Sequence, residues 1–125
     1  MFRFVTVLAM LAAMVMVVGA ATADEIVSVY VDGKRADVKP AARVRNGKSY
    51  APLRDISEAL GADVEWHAAS QTAAICRGNA CTSVRRSDGI VVDNQMLVPL
   101  RLLGEALGAK VQWDPGLRAV MISTK

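Results

Sequence analysis

The chain has 125 residues, 53% of them hydrophobic, and its 15 Lys and Arg against 12 Asp and Glu give a formal net charge of +3. The two signs are interspersed with no basic stripe, which argues against a nucleic-acid partner. Two Cys and one His are too few for a zinc site or an imidazole-rich copper site, so no metal or cofactor is expected.

The chain opens with MFRFVTVLAMLAAMVMVVGAATADE, in which Arg3 precedes an apolar run from Val5 to Val18, interrupted only by Thr6, and the small residues Ala21-Thr22-Ala23 follow. This layout predicts a secretory signal peptide over residues 1–23, cut after Ala23, and hence a secreted or extracytoplasmic protein. The alternative is an uncleaved anchor, and membrane attachment is expected only in that case. The residue after the cut is Asp24 rather than Cys, which argues against a lipid-anchored lipoprotein. Residues 24–125 suffice for one modest core and one domain.

The first elements past the leader are strands. IVSVYVDGKRADV reads as a hairpin turning at Asp32-Gly33, and ARVRNGKSYAPL as a second turning at Asn46-Gly47. Next comes PLRDISEALG, where Pro52 suits a helix start and Gly61 the left-handed position just past its end. Leu53, Ile56 and Leu60 give that helix one apolar stripe. ADVEW then alternates as a half-buried strand that ends in Trp66. In ICRGNAC, apolar or β-prone flanks surround Gly78-Asn79, so a hairpin is expected with Cys76 and Cys81 bridged across its loop. GIVVDNQMLVPL reads as a hairpin turning at Asp93-Asn94, PLRLLGEALG as a second helix, AKVQW as a strand ending in Trp113, DPG as a turn and RAVMIS as the last strand.

This order repeats. At an offset of 47, Ala51–Ile75 aligns with Val98–Ile122 without a gap, and Pro52, Leu53, Arg54, Glu58, Ala59, Leu60, Gly61, Ala62, Val64, Trp66 and Ile75 are identical to their counterparts. Shared positions of such diverse chemistry mark an internal duplication. The expected architecture is a single α+β domain with pseudo-twofold symmetry: antiparallel sheets packed on two short helices, formed by two repeats over about residues 41–77 and 88–124.

The segments YAPLRDISEALGADVEW and LVPLRLLGEALGAKVQWDPGLRAVMI resemble the signature of the copper amine oxidase N-terminal-like family, also called the stalk domain, and the resemblance spans roughly residues 26–123. It implies an α+β accessory module of exported bacterial proteins, separate from the copper and quinone chemistry of the oxidases. Ala51 stands where the family prefers Val, His67 where the second copy has the usual Asp114, and the stretch between the copies is short and carries the two Cys.

The residue pattern points away from catalysis. No G-x-S-x-G or H-E-x-x-H occurs, and His67 has no second His to work with. Arg54 and Arg101 recur in the first helical turn, where the dipole disfavours a cation. Glu58 and Glu105 four residues on, or stacking on Trp66 and Trp113, offset that placement; binding of an anionic ligand is the functional alternative. Trp66 and Trp113 share a strand face with Val64 and Val111, so they are expected in the core, the alternative being a glycan platform. The resulting expectation is an exported non-catalytic structural or interaction module, without enzyme activity, that acts by protein contact and is capable of self-association through sheet edges. A cell-wall carbohydrate-binding module using Trp66 and Trp113 is the alternative.

Overall fold

A computed structural model describes residues 24–125; the expected leader and its cleavage after Ala23 lie outside them. In chain order the elements are β1 (Glu25–Ile26), β2 (Ser28–Val31), β3 (Lys34–Arg35), β4 (Arg43–Arg45), β5 (Lys48–Pro52), α1 (Leu53–Ala59), β6 (Asp63–His67), β7 (Thr72–Arg77) and β8 (Ala80–Arg85). A 3-10 turn at Arg86–Asp88 leads to β9 (Ile90–Val92), β10 (Gln95–Pro99), α2 (Leu100–Ala106), β11 (Lys110–Asp114) and β12 (Ala119–Ser123).

The turn chemistry does what the sequence asks of it. Asp32 and Gly33 have φ of 51° and 82°, Asn46 and Gly47 of 53° and 77°, and Asp93 and Asn94 of 51° and 63°. Two consecutive left-handed residues match the right-handed twist of the flanking strands and close each hairpin tightly. Each helix starts where a strand stops: Pro52 and Pro99 are the capping residues, one position earlier than expected, so β5 and β10 run straight into α1 and α2. Gly61 and Gly108, at φ of 73° and 84°, end the helices.

The duplication is organised about one strand pair. Ala51 lies opposite Val98 across the antiparallel β5–β10 ladder, flanked by Tyr50–Pro99 and Pro52–Leu97. Ala51 and Val98 are 47-residue counterparts, and so are Tyr50 with Leu97 and Pro52 with Pro99. The pseudo-twofold axis therefore passes between Ala51 and Val98, both fully buried. This pairing joins the two repeats into a five-stranded sheet of order β1-β4-β5-β10-β9.

On either side of that sheet, each helix leads into a smaller one. The first repeat closes β6-β7-β8, and the second forms β11-β12-β2-β3. Their third strands differ. β8 follows β7 in a hairpin, with Cys76 opposite Cys81 and the two bonded as a disulfide. β12 instead takes its neighbour from the other end of the chain: β2 lies parallel to it, from Ser28–Ala119 to Val31–Ile122. This is the one parallel pairing among the described strands, which are otherwise antiparallel as expected.

Leu53, Ile56 and Leu60 of the first helix stripe and Leu100, Leu103 and Leu107 of the second are all buried, in one continuous core with Val29, Ala51, Ile75, Val84, Val98 and Ile122. Removing a side chain of this size from water contributes about 1.5–3 kcal/mol. The halves share these contacts, so neither buries its stripe alone.

Three links outside the ladders fasten the chain ends. The Asp24 carboxylate accepts from Arg45 Nε and Nη2, each at 2.8 Å, Glu25 pairs with Arg118, and Asp32 accepts from Thr124 N at 2.8 Å and Thr124 Oγ1 at 2.6 Å. A fourth link lies at the opposite end of the helices. Arg77, half-buried at the end of β7, donates from Nε to Leu60 O at 3.1 Å and from Nη1 to Leu107 O at 3.3 Å. Leu60 and Leu107 are the C-terminal caps of α1 and α2. One guanidinium thus meets the unsatisfied carbonyls, and the negative dipole ends, of both helices.

Candidate functional site

Two clefts open beside the helices, and they are built alike. The larger, of about 1060 Å³, is lined by Val44, Gly47, Lys48 and Ser49 of the β4–β5 hairpin together with Leu100, Arg101, Val111 and Trp113 of α2 and β11. The smaller, of about 350 Å³, is lined by Val91, Asn94, Gln95 and Met96 of the β9–β10 hairpin together with Leu53, Arg54, Val64 and Trp66 of α1 and β6. Position by position these are 47-residue counterparts, and only Arg86 of the smaller cleft has no equivalent among the residues lining the larger. Each cleft joins the hairpin of one repeat to the helix and Trp strand of the other. Duplication therefore created both sites at once, and a single repeat could form neither.

The structure corrects the expected burial of Trp66 and Trp113. Each is 39% exposed, whereas Val111 is buried and Val64 half-buried on the same strand faces. Successive same-face residues advance about 6.6 Å along a strand. The Trp is thus carried beyond the shelter that covers the Val and stands in the cleft wall. Alternation identified the face but not how far its cover extends.

The paired charges also depart from symmetry. Arg101 Nη1 lies 3.0 Å from Glu105 Oε2, an exposed ion pair one helical turn apart, while Glu58 is not within ion-pair reach of Arg54. An exposed pair of this type contributes only about 0.3–0.5 kcal/mol. Neither Arg54 nor Arg101 takes the other option, stacking on a Trp; Arg118 does so instead, 5.9 Å above the Trp113 ring. Sequence reading missed Arg118 because its approach depends on the β11–β12 pairing, although its place five residues past the Trp in a DPG hairpin was a usable signal.

The two clefts consequently differ in charge. In the larger one Lys48, Arg101 and Arg118 are matched by Glu25, Asp88 and Glu105. The smaller is lined by Arg54 and Arg86 with no carboxylate, and neither Arg forms an ion pair among the described residues. His67 is exposed at the end of β6, with Nε2 3.3 Å from Glu65 Oε1. Among the described residues no group of three or more His, Cys, Asp or Glu is placed to hold a metal ion, and no helix is long and apolar enough to cross a membrane.

Two acidic groups are shifted, and both belong to the chain-end fastenings rather than the clefts. The hydrogen bond from Arg45, reinforced by its charge and that of Arg43, holds Asp24 below the usual carboxylate range. Hydrogen bonds from Thr124 do the same for Asp32.

Comparison with known proteins agrees with the architecture. The family model described as Copper amine oxidase N-terminal domain matches residues 30–88 and again residues 88–125. No curated protein and no solved structure was found to match the chain.

Proposed function

This chain belongs to the copper amine oxidase N-terminal domain family, and from that membership we propose that it is an exported, non-catalytic structural and interaction module of the cell envelope. The family's stalk role supports the non-catalytic part. The observation that carries the interaction part is the pair of dyad-related clefts, each with a half-exposed Trp in its wall. A large aromatic left partly in water at equivalent places in both repeats is a contact surface awaiting an occupant. The Cys76–Cys81 disulfide supports export, since such bridges persist in oxidising compartments.

The test places a photo-crosslinking residue at Leu102, an exposed side chain at the larger cleft, in cells that make the full chain. The reading expects a discrete crosslinked protein, formed outside the cytoplasm, and mature protein starting at Asp24 by mass. Cytoplasmic full-length chain with no crosslink would refute it. The exposure of Trp66 and Trp113 favours a second reading, contact with a wall carbohydrate, because an aromatic face with polar neighbours suits the apolar face of a sugar ring.

A further inference from the structure

The smaller cleft has a chemistry its counterpart lacks. Its aromatic wall, Trp66, is joined by Arg54 and Arg86, two guanidinium groups with no ion-pair partner among the described residues and no carboxylate in the cleft lining, and by Asn94 and Gln95 with their side-chain amides. In the larger cleft the equivalent Arg101 is committed to Glu105, and Arg118 to Glu25. The shared frame thus acts as an internal control: the same hairpin, helix and Trp strand, with both guanidinium groups paired in one copy and left unpaired in the other.

A guanidinium presents a planar fork of donors that matches carboxylate or phosphate, and it needs no adjustment of protonation to do so. Amides donate to and accept from hydroxyl groups, and a half-exposed indole covers a sugar face. We propose that the Trp66 cleft is a binding site for an acidic glycan, a chain whose sugar units carry carboxylate or phosphate, with Arg54 and Arg86 as the anion contacts. Its volume lies at the lower end of the range for small-ligand sites, enough for one or two sugar units. The proposal rests on the carbohydrate reading above and adds charge selectivity and a specific cleft to it.

The test uses a Trp113→Phe background, in which Trp66 is the sole indole. Its emission and the heat of binding are followed on titration with an oligogalacturonate, a phosphorylated mannan oligosaccharide and a neutral cello-oligosaccharide. The two acidic probes distinguish carboxylate from phosphate, and either suffices. Binding by an acidic probe is expected to weaken at least tenfold with Arg54→Gln or Arg86→Gln and to fall as salt rises, while Arg101→Gln changes it less than twofold. Both target side chains are exposed, and circular dichroism verifies that each variant is folded. Unchanged affinity in Arg54→Gln and Arg86→Gln, or silence of all probes in both readouts, overturns the proposal. Equal binding of the neutral chain, lost on Trp66→Ala, overturns the charge assignment while leaving the carbohydrate reading intact.

Discussion

Replacing Arg77 by Ala removes the donor shared by both helix ends. Hydrogen bonds from a charged group are worth about 1.5–3 kcal/mol each when well made. At 3.1 and 3.3 Å, with the side chain half-buried, each belongs at or below the lower end of that range, since water can replace part of what is lost. The two together with the dipole contribution give about 2–3 kcal/mol. For a domain of about this size each kcal/mol moves the midpoint by roughly 4–8 °C, so Arg77→Ala is expected to melt about 8–24 °C below the parent. Urea unfolding by circular dichroism measures the same loss isothermally. Arg77→Met, which keeps the hydrocarbon stem, separates packing from charge and should lie near Ala, and Arg77→Lys, with a single ammonium, should fall between Ala and the parent. A loss under 0.5 kcal/mol in Arg77→Ala, or parent-like stability in Arg77→Met, would refute the reasoning.

Other outcomes follow from the same geometry. At the equivalent buried positions Ser57 and Gly104, substitution by Ala should act in opposite directions. Ser57 Oγ has no hydrogen-bond partner, so Ser57→Ala should be neutral or stabilising by up to about 1 kcal/mol. A Cβ at Gly104 would sit 2.5 Å from Val111 Cγ2, on a side chain stiff at χ1, so Gly104→Ala should cost about 1–2 kcal/mol despite its better helix propensity; chemical denaturation measures both. Reducing Cys76–Cys81 should lower stability by about 2 kcal/mol on the chain-entropy estimate for so small a ring, read as a midpoint shift with and without reductant. Asp24 and Asp32 have folded pKa values below their unfolded ones, so their contribution is present above about pH 4 and is lost as pH falls through the folded values. Melting temperature should therefore decline as pH falls below about 4, and the combined Asp24→Asn and Asp32→Asn variant should flatten that decline.

What could be read from the sequence was what short-range chemistry specifies. Asp-Gly, Asn-Gly and Asp-Asn turns adopt left-handed pairs whatever surrounds them, and Pro-to-Gly spacing with a leucine stripe delimits both helices. The repeat offset even anticipated the dyad, because counterparts on adjacent antiparallel strands meet only if the axis runs between them. Long-range placement was not legible. Arg77 lies in a loop-like stretch of sequence, and its acceptors are 17 and 30 residues away. Nothing in SVYV announces a parallel partner near the other end of the chain. The Trp residues lay on the expected face but outside the expected cover, and the difference between the clefts depends on which carboxylate reaches which arginine across the fold.

The central claim is that two repeats build one core about the Ala51–Val98 pair, and with it two clefts that exist only together. Its most direct measurement is equilibrium unfolding of Trp66→Phe and Trp113→Phe, each reporting the remaining indole, alongside circular dichroism. The account predicts that within each variant the fluorescence and dichroism transitions coincide, the cleft being lost with the whole fold in one step. A Trp113 transition separated from the loss of strand and helix signal, or a cleft that melts while the other repeat stays folded, would contradict it.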